Sequence, residues 1–399
     1  MDLRTHYPYS LLRYGLIQAY PSLKKNIKTN VAIIGAGITG ALMAYHLQKA
    51  GVKCVVVDKR NVAMGSTAAS TSLIQYEIDT PLHQLIKMVG EKNAVRAYQL
   101  CRQAIYDLKN ICNEIGDEDN FEAKSSLQFA SFTKDVEGLE KEYELRKRLG
   151  FKVDFLNKAD VKKQFGFYAP AALLSYEAAQ VDAYHLTHKI FQWLDKDQCE
   201  IYDHTNIVSV QHEKRRITLT TEDGCTIESK YLVIAAGYES GKYLNKKLED
   251  LRCTYAIISE PLPQKELWKE NCLIWETADP YLYLRTTKDH RVIIGGKDTD
   301  YFKIQKQLSI LSKKANALQK SFEKLFPGIN IKIDFQWAGA FAATKDGLPF
   351  IGRAHLPGTF FALGYGGNGI TFSLIAAQLI SRIINEKTDQ DLSLFSFDR

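Results

Sequence analysis

The first strongly patterned stretch of the chain is Val31-Ala32-Ile33-Ile34, four apolar residues with no alternation. Such a run predicts a strand buried on both faces, as in a parallel sheet. A glycine turn follows, and Ala41-Leu42-Met43-Ala44-Tyr45-His46-Leu47 then predicts a helix that stops at Gly51. Cys54-Val55-Val56-Val57 is a second unbroken apolar run, closed by Asp58. Strand, helix and strand make a parallel βαβ unit of roughly thirty residues. Tyr231-Leu232-Val233-Ile234-Ala235-Ala236-Gly237 predicts a further doubly buried strand ending in small residues.

Elsewhere the period changes. Between Pro81 and Gly116, Leu82, Leu85, Ile86 and Val89 recur at helical spacing, as do Leu100, Ala104, Ile105, Leu108 and Ile111. A charged helix is expected over Lys134–Leu149. Short runs dominate residues 251–300, namely Tyr255-Ala256-Ile257-Ile258, Tyr281-Leu282-Tyr283-Leu284 and Val292-Ile293-Ile294, and they suit an antiparallel sheet. Residues 1–28, punctuated at Tyr7-Pro8-Tyr9 and Tyr20-Pro21, read as an arm wrapping the surface. The alternation of blocks predicts two interleaved domains, which the length of 399 residues can fill.

Composition narrows the class. Apolar residues are 45% and charged residues 25%, so the chain is globular. Lys+Arg 52 against Asp+Glu 46 leaves +6 without a long basic block, which argues against nucleic-acid partners. Seven cysteines form no CxxC pair and point to a reducing compartment. The N-terminus Met1-Asp2-Leu3-Arg4 lacks a secretory pattern. Thr359–Ser381 is uncharged but too rich in glycine and hydroxyl groups for a membrane span. A cytoplasmic protein with no membrane span is the expectation. His185 and His188 have a spacing metal sites use, but no third ligand accompanies them, so no metal is expected.

Gly35-Ala36-Gly37-Ile38-Thr39-Gly40 is GxGxxG, placed between a buried strand and a helix, with Asp58 about twenty residues on. Gly35 makes the turn, Gly37 lets a pyrophosphate approach the backbone, and Gly40 lets helix and strand pack closely. The helix N-terminus offers free N–H groups to the phosphates, and Asp58 suits the adenosine ribose diol. Two further elements favour flavin over nicotinamide. Gly65-Ser66-Thr67-Ala68-Ala69-Ser70-Thr71-Ser72 is a run of small side chains that permits close backbone approach to a bulky group. Gly364-Tyr365-Gly366-Gly367-Asn368-Gly369 opens a second glycine-rich helix start, whose dipole suits a ring that becomes anionic on reduction.

These motifs, with Ala235-Ala236-Gly237 and Thr344-Lys345-Asp346-Gly347-Leu348-Pro349-Phe350-Ile351-Gly352, make the chain resemble the FAD-dependent amine and D-amino acid oxidase superfamily from residue 31 to about 382. The resemblance implies an α/β fold: a doubly wound, Rossmann-like FAD-binding domain from residues 1–80, 179–250 and 335–399. An interleaved α+β substrate domain with an antiparallel sheet would come from 81–178 and 251–334. Beyond the motif residues Gly35, Gly37, Ile38, Thr39, Gly40 and Asp58, the expected FAD contacts are Lys59, Ser66, Thr67, Ser70, Thr71, Ser72, Ile207, Ala236, Gly237, Gly366, Gly367, Asn368, Gly369, Ile370 and Thr371.

Departures from the family bear on substrate. Where relatives that act on free amino acids carry an arginine for the carboxylate, this chain has Gln75 or Phe341. Arg285 is an alternative clamp, and Glu77 and Asp79 are alternative partners for a cationic substrate end. Tyr255, Trp275, Tyr281 and Tyr283 are either sheet packing or pocket lining. Tyr283, Arg285 and Gln75 are therefore the candidate catalytic residues. The cysteine that some relatives join covalently to flavin falls near Gly339, where this chain has no cysteine, so FAD should be noncovalent. A lysine thought to assist oxygen falls near Ile293 or Ile294, with Lys297 off register, which leaves oxygen or another electron acceptor open. The reading is oxidation of a primary or secondary amine C–N bond, with hydride passing to flavin and the imine hydrolysed. The alternatives are dehydrogenation of a 2-hydroxy acid or amino acid with a non-oxygen acceptor and, last, a flavoprotein module of a nucleic-acid-modifying system.

Overall fold

The computed structural model describes residues 1, 3–214 and 216–399; Asp2 and Arg215 lie outside the described residues. Two sheets organise it. In the smaller sheet the strands Thr359–Leu363, Thr226–Ile234, Ile27–Ile34, Cys54–Val57 and Cys199–Tyr202 lie side by side, all parallel. Phe350–Arg353 closes one edge antiparallel. The unbroken apolar runs are explained by the two faces. Val31, Ile33, Val56 and Val233 face the helices Ile38–Lys49, Glu91–Glu114, Ala183–Trp193 and Gly369–Ile384. Ala32, Ile34, Val55, Val57 and Ile234 face Leu23, Ile217 and Leu219 on the other side. Successive residues of a strand point to opposite faces, so a strand covered twice has no polar position to spare.

Among the described residues the larger sheet has ten strands and is almost wholly antiparallel, with Leu273–Glu276 beside Glu122–Phe129 the parallel exception. Its centre pairs Asp250–Ser259 with Ile333–Ala343 on one side and Val292–Asp300 on the other. The amphipathic helix Ile304–Leu325 covers one face through Leu311, Ala315, Leu318 and Phe322. The α/β class, the Rossmann-like sheet and the antiparallel substrate-side sheet are as the sequence implied.

Several expectations need correction. The arm expected over 1–28 contains regular elements among its described residues. Arg4–Thr5 pairs with Ala338 and Gly339 as an edge strand, Tyr9–Tyr14 is helical, and Ile27 and Lys28 already belong to the first parallel strand. Buried Leu3 and Leu23 pin the segment down. The helix expected over 81–116 breaks at Gly90 (φ 83°) into Leu82–Val89 and Glu91–Glu114. Both pack in the core shared with the GxGxxG helix, on the far side of the boundary expected at residue 80, because their apolar faces have that sheet's helices as neighbours. The boundary expected at 335 cuts through Ile333–Ala343, a strand of the larger sheet. Tyr281 and Leu282 precede their strand, which runs Tyr283–Thr286. Thr359–Ser381 divides into a strand, a glycine turn and a helix. Among the described residues no helix is long and apolar enough to cross a membrane.

Candidate active site

A cavity of about 350 Å³ starts at the C-terminal ends of the parallel strands, where Ile34, Val57 and Ala235 reach it, and runs to the larger sheet at Thr254, Tyr283, Asp298 and Gly339. The carboxyl edge of an open α/β sheet is where ligands of such folds bind. At this edge the glycines do what their spacing requires. Gly35 has φ 114°, and a Cβ there would lie 2.3 Å from the Ala235 carbonyl oxygen. A Cβ on Gly40 would lie 1.9 Å from the carbonyl oxygen of Gly35. Gly40 therefore serves helix–strand packing and does not line the cavity. Gly37 does line it, as N-cap of Ile38–Lys49, with no side chain of its own to cap the helix.

Asp58 closes the second strand. Its carboxylate accepts N–H bonds from Ala36 and Arg60, both 2.8 Å, and burial raises its pKa against those two bonds. Beside it Glu239 gathers the positive charge at this end. It receives Lys59 Nζ at 2.7 Å, Arg60 Nη1 at 3.0 Å and Lys242 Nζ at 3.1 Å. Burial alone would raise the Glu239 pKa; these cations hold it down at about 2.

The middle is lined by Ser66, Thr67, Ser70, Thr71 and Ser72 of the small-residue run, by Ile207, Ala236 and Gly237, and by Gly366, Gly367, Gly369 and Ile370. Thr67 Oγ1 accepts the Ile38 N–H at 3.1 Å, tying this run to the GxGxxG helix. Ser66 Oγ and the Tyr365 hydroxyl are buried without a protein partner although both residues line the cavity. Asn368 and Thr371, among the expected contacts, do not line the cavity. Asn368 donates to the carbonyls of Gln75 (3.2 Å) and Glu77 (2.8 Å), and Thr371 to that of Gln75 (3.5 Å), so they hold the 75–77 strip in place.

At the far end, Gln75 donates to Ser126 Oγ at 2.8 Å and lines the cavity, as Tyr283 and Phe341 do. Arg285 does not. It is 7% exposed, its Nε donates to the Thr71 carbonyl and its Nη1 to that of Thr286 (3.2 Å). It lines a separate, smaller recess with Asp182 and His185 on the other side of the Thr71 strip. Glu77 is also excluded from the cavity, buried beside Arg146 (3.6 Å). Arg146 is committed to Glu142, at 2.7 Å, whose other oxygen accepts from His83. Burial therefore wins at Glu77 and raises its pKa, whereas Glu142, despite burial, is held at about 2. Asp79 is exposed; it accepts the Gly367 N–H at 2.8 Å and the Tyr281 hydroxyl at 3.2 Å. Tyr255 is core packing, and Lys297 lies outside the lining.

Sequence reasoning missed Glu239 and Lys242 at one end and Thr254 and Asp298 at the other. Asp298 carried a signal: an acid just past Gly295-Gly296 at the end of an apolar strand. Burial lifts its pKa to about 6, with the charge of Asp79 adding to the rise.

The site fits FAD by its own geometry. A glycine cradle lies at a helix start whose N-cap has no side chain, an acid closes the second strand, and small residues flank a channel holding unpartnered hydroxyls. Among the described residues no cysteine lines the cavity, and at Gly339 a Cβ would sit 3.1 Å from that of Ala69.

Comparison with known proteins agrees. The Rieske 2Fe-2S iron-sulfur protein YhfW of Bacillus subtilis (strain 168), a name itself provisional, is 23% identical over 395 residues, spanning 96% of this chain and 74% of that protein. The gamma-glutamylputrescine oxidoreductase of Escherichia coli (strain K12) is 22% identical over 403 residues, spanning 95% of this chain and 88% of the relative. The crystal structure of glycine oxidase from Geobacillus kaustophilus superposes with a TM-score of 0.78 at 19% identity, covering 93% of this chain and 99% of that one. The family described as FAD dependent oxidoreductase (DAO) matches residues 30–383, and the chain belongs to it: it is an FAD-dependent oxidoreductase.

Proposed function

We propose that the chain oxidises the C–N bond of a primary or secondary amine that needs no free α-carboxylate, using noncovalent FAD. One observation carries this reading. Among the described residues at the far end of the cavity, where Gln75, Thr254, Tyr281, Tyr283, Asp298 and Phe341 meet, there is an acid but no arginine or lysine. A carboxylate desolvated there would find no cation on the lining to pair with, whereas an amine finds hydroxyl, amide and carboxylate acceptors. The cations that do line the cavity, Lys59, Arg60 and Lys242, are gathered on Glu239 at the opposite end. The names of the relatives accord with a substrate oxidised at nitrogen-bearing carbon.

Bound FAD supplies the two-electron acceptor. The chain's residues do the rest. Gly37, Asp58, Ser66 and Thr67 would hold the cofactor, and Tyr281, Tyr283 and Phe341, which line the far end, would orient the amine and exclude water. The amine R–CH₂–NH₂ loses two electrons and two protons to become R–CH=NH, which takes up water and releases ammonia and an aldehyde. Oxygen or another acceptor then accepts the two electrons.

The test is the visible spectrum of the purified protein, followed by anaerobic titration with amines, amino acids and 2-hydroxy acids. A flavin spectrum bleached by amines lacking a carboxylate supports the reading. Bleaching only by glycine, sarcosine or a hydroxy acid overturns the substrate assignment and leaves the cofactor intact.

A further inference from the structure

Asp298 is an acid on the wall of the cavity that has no paired counterion and whose side chain is held by Thr254. Its Oδ1 is shielded from solvent and has no hydrogen-bond partner. No cation lies within 4.0 Å of it among the described residues. Lys314 and Arg252 interact with it electrostatically, but Lys314 Nζ is occupied by the Lys297 carbonyl at 2.6 Å. An acid left like this costs stability unless something in the working protein compensates it.

The surroundings are built for a cation. The rings of Tyr281 and Tyr283 lie 5.8 Å apart at 58°, and Trp275 stands 6.0 Å from Tyr281. Their phenols are fixed, Tyr283 against Thr254 Oγ1 at 3.2 Å and Tyr281 on Asp79 Oδ1 at 3.2 Å. The wall thus runs from one acid to another through two aromatic faces, and carboxylates with aromatic faces are what an ammonium group seeks.

The nitrogen that reacts must be neutral for its C–H bond to yield hydride, and an anion beside it would hold it as ammonium instead. The acid therefore serves a nitrogen that does not react. We propose that Asp298, with the Tyr281–Tyr283 wall, binds a second, unreacting ammonium group of the substrate, so that the substrate class is an aliphatic diamine or polyamine. This rests on the amine-oxidation reading above and adds the second charge to it.

The experiment compares kcat/KM of the FAD-loaded protein for 1,4-diaminobutane and for n-pentylamine, its isostere with one nitrogen replaced by carbon. A single charge-assisted contact predicts a preference of roughly tenfold to a hundredfold for the diamine. The ratio should collapse toward unity in Asp298→Asn and recover in Asp298→Glu, which restores the charge. Because both substrates are measured on one preparation, partial misfolding cancels from the ratio. Reduction by both amines with no preference, or a preference that survives Asp298→Asn, overturns the proposal while leaving amine oxidation standing. Reduction by neither amine nor any other overturns both.

Discussion

Gly37→Val separates cofactor binding from folding. Gly37 has φ −82° and ψ −171°, extended values that a β-branched residue adopts readily, so the backbone carries no penalty. The added Cβ would sit 2.9 Å from Thr67 Oγ1 and the valine methyls would project into the cavity that Gly37 lines. Thr67 must give by a few tenths of an ångström, weakening its 3.1 Å bond from the Ile38 N–H. Overpacking of this kind costs about 1–3 kcal/mol of stability. Each hydrogen bond to phosphate that the cradle can no longer make costs about 1.5–3 kcal/mol of binding, so FAD affinity should fall at least tenfold per bond lost. Flavin fluorescence titration of the apoprotein measures the affinity, and far-UV circular dichroism on heating measures the fold. A folded variant with depleted flavin is the expected result. A variant that binds FAD as tightly as the parent refutes the placement of the pyrophosphate at Gly37.

Two further predictions concern buried acids. Glu249 is held at about 7 by burial, with Oε2 unpartnered, so its folded pKa lies above its unfolded one. The folded state keeps this proton longer, so stability falls as pH rises from about 4.5 through 7, by about 3 kcal/mol across the whole window. Glu249→Gln should remove that slope and raise the melting temperature at pH 8; melting curves that stay parallel to the parent's at every pH would contradict the assignment. Arg146→Met leaves Glu142 and Glu77 buried without their cation and should cost about 3–5 kcal/mol in chemical denaturation. It should also loosen the 75–79 strip that carries Gln75, seen as lower activity in the protein that remains folded; a loss under 1 kcal/mol would show that the triad is not what holds this strip.

What the sequence determined by itself is the part of the site encoded in short contiguous stretches. The strand–turn–helix around Gly35–Gly40, the acid at Asp58 and the small-residue run are local, because close backbone approach demands glycine and small side chains wherever the rest of the chain lies. The same holds for the parallel strands, whose unbroken apolar runs reflect burial on both faces. Tertiary structure alone decided the far end of the cavity. Tyr283 and Arg285 are two residues apart on one strand, yet the Thr71 strip passes between their side chains, leaving one in the cavity and the other bound to a carbonyl outside it. Glu77 and Asp79 look alike as loop acids, but helix Val136–Arg148 brings Arg146 onto Glu77 and buries it while Asp79 stays at the glycine turn. Asp298 comes to share one cavity wall with Thr254 and Tyr283 through antiparallel pairing of three separate strands. An acid's role depends on which charges and solvent surround it, and those neighbours come from remote segments that no local pattern specifies.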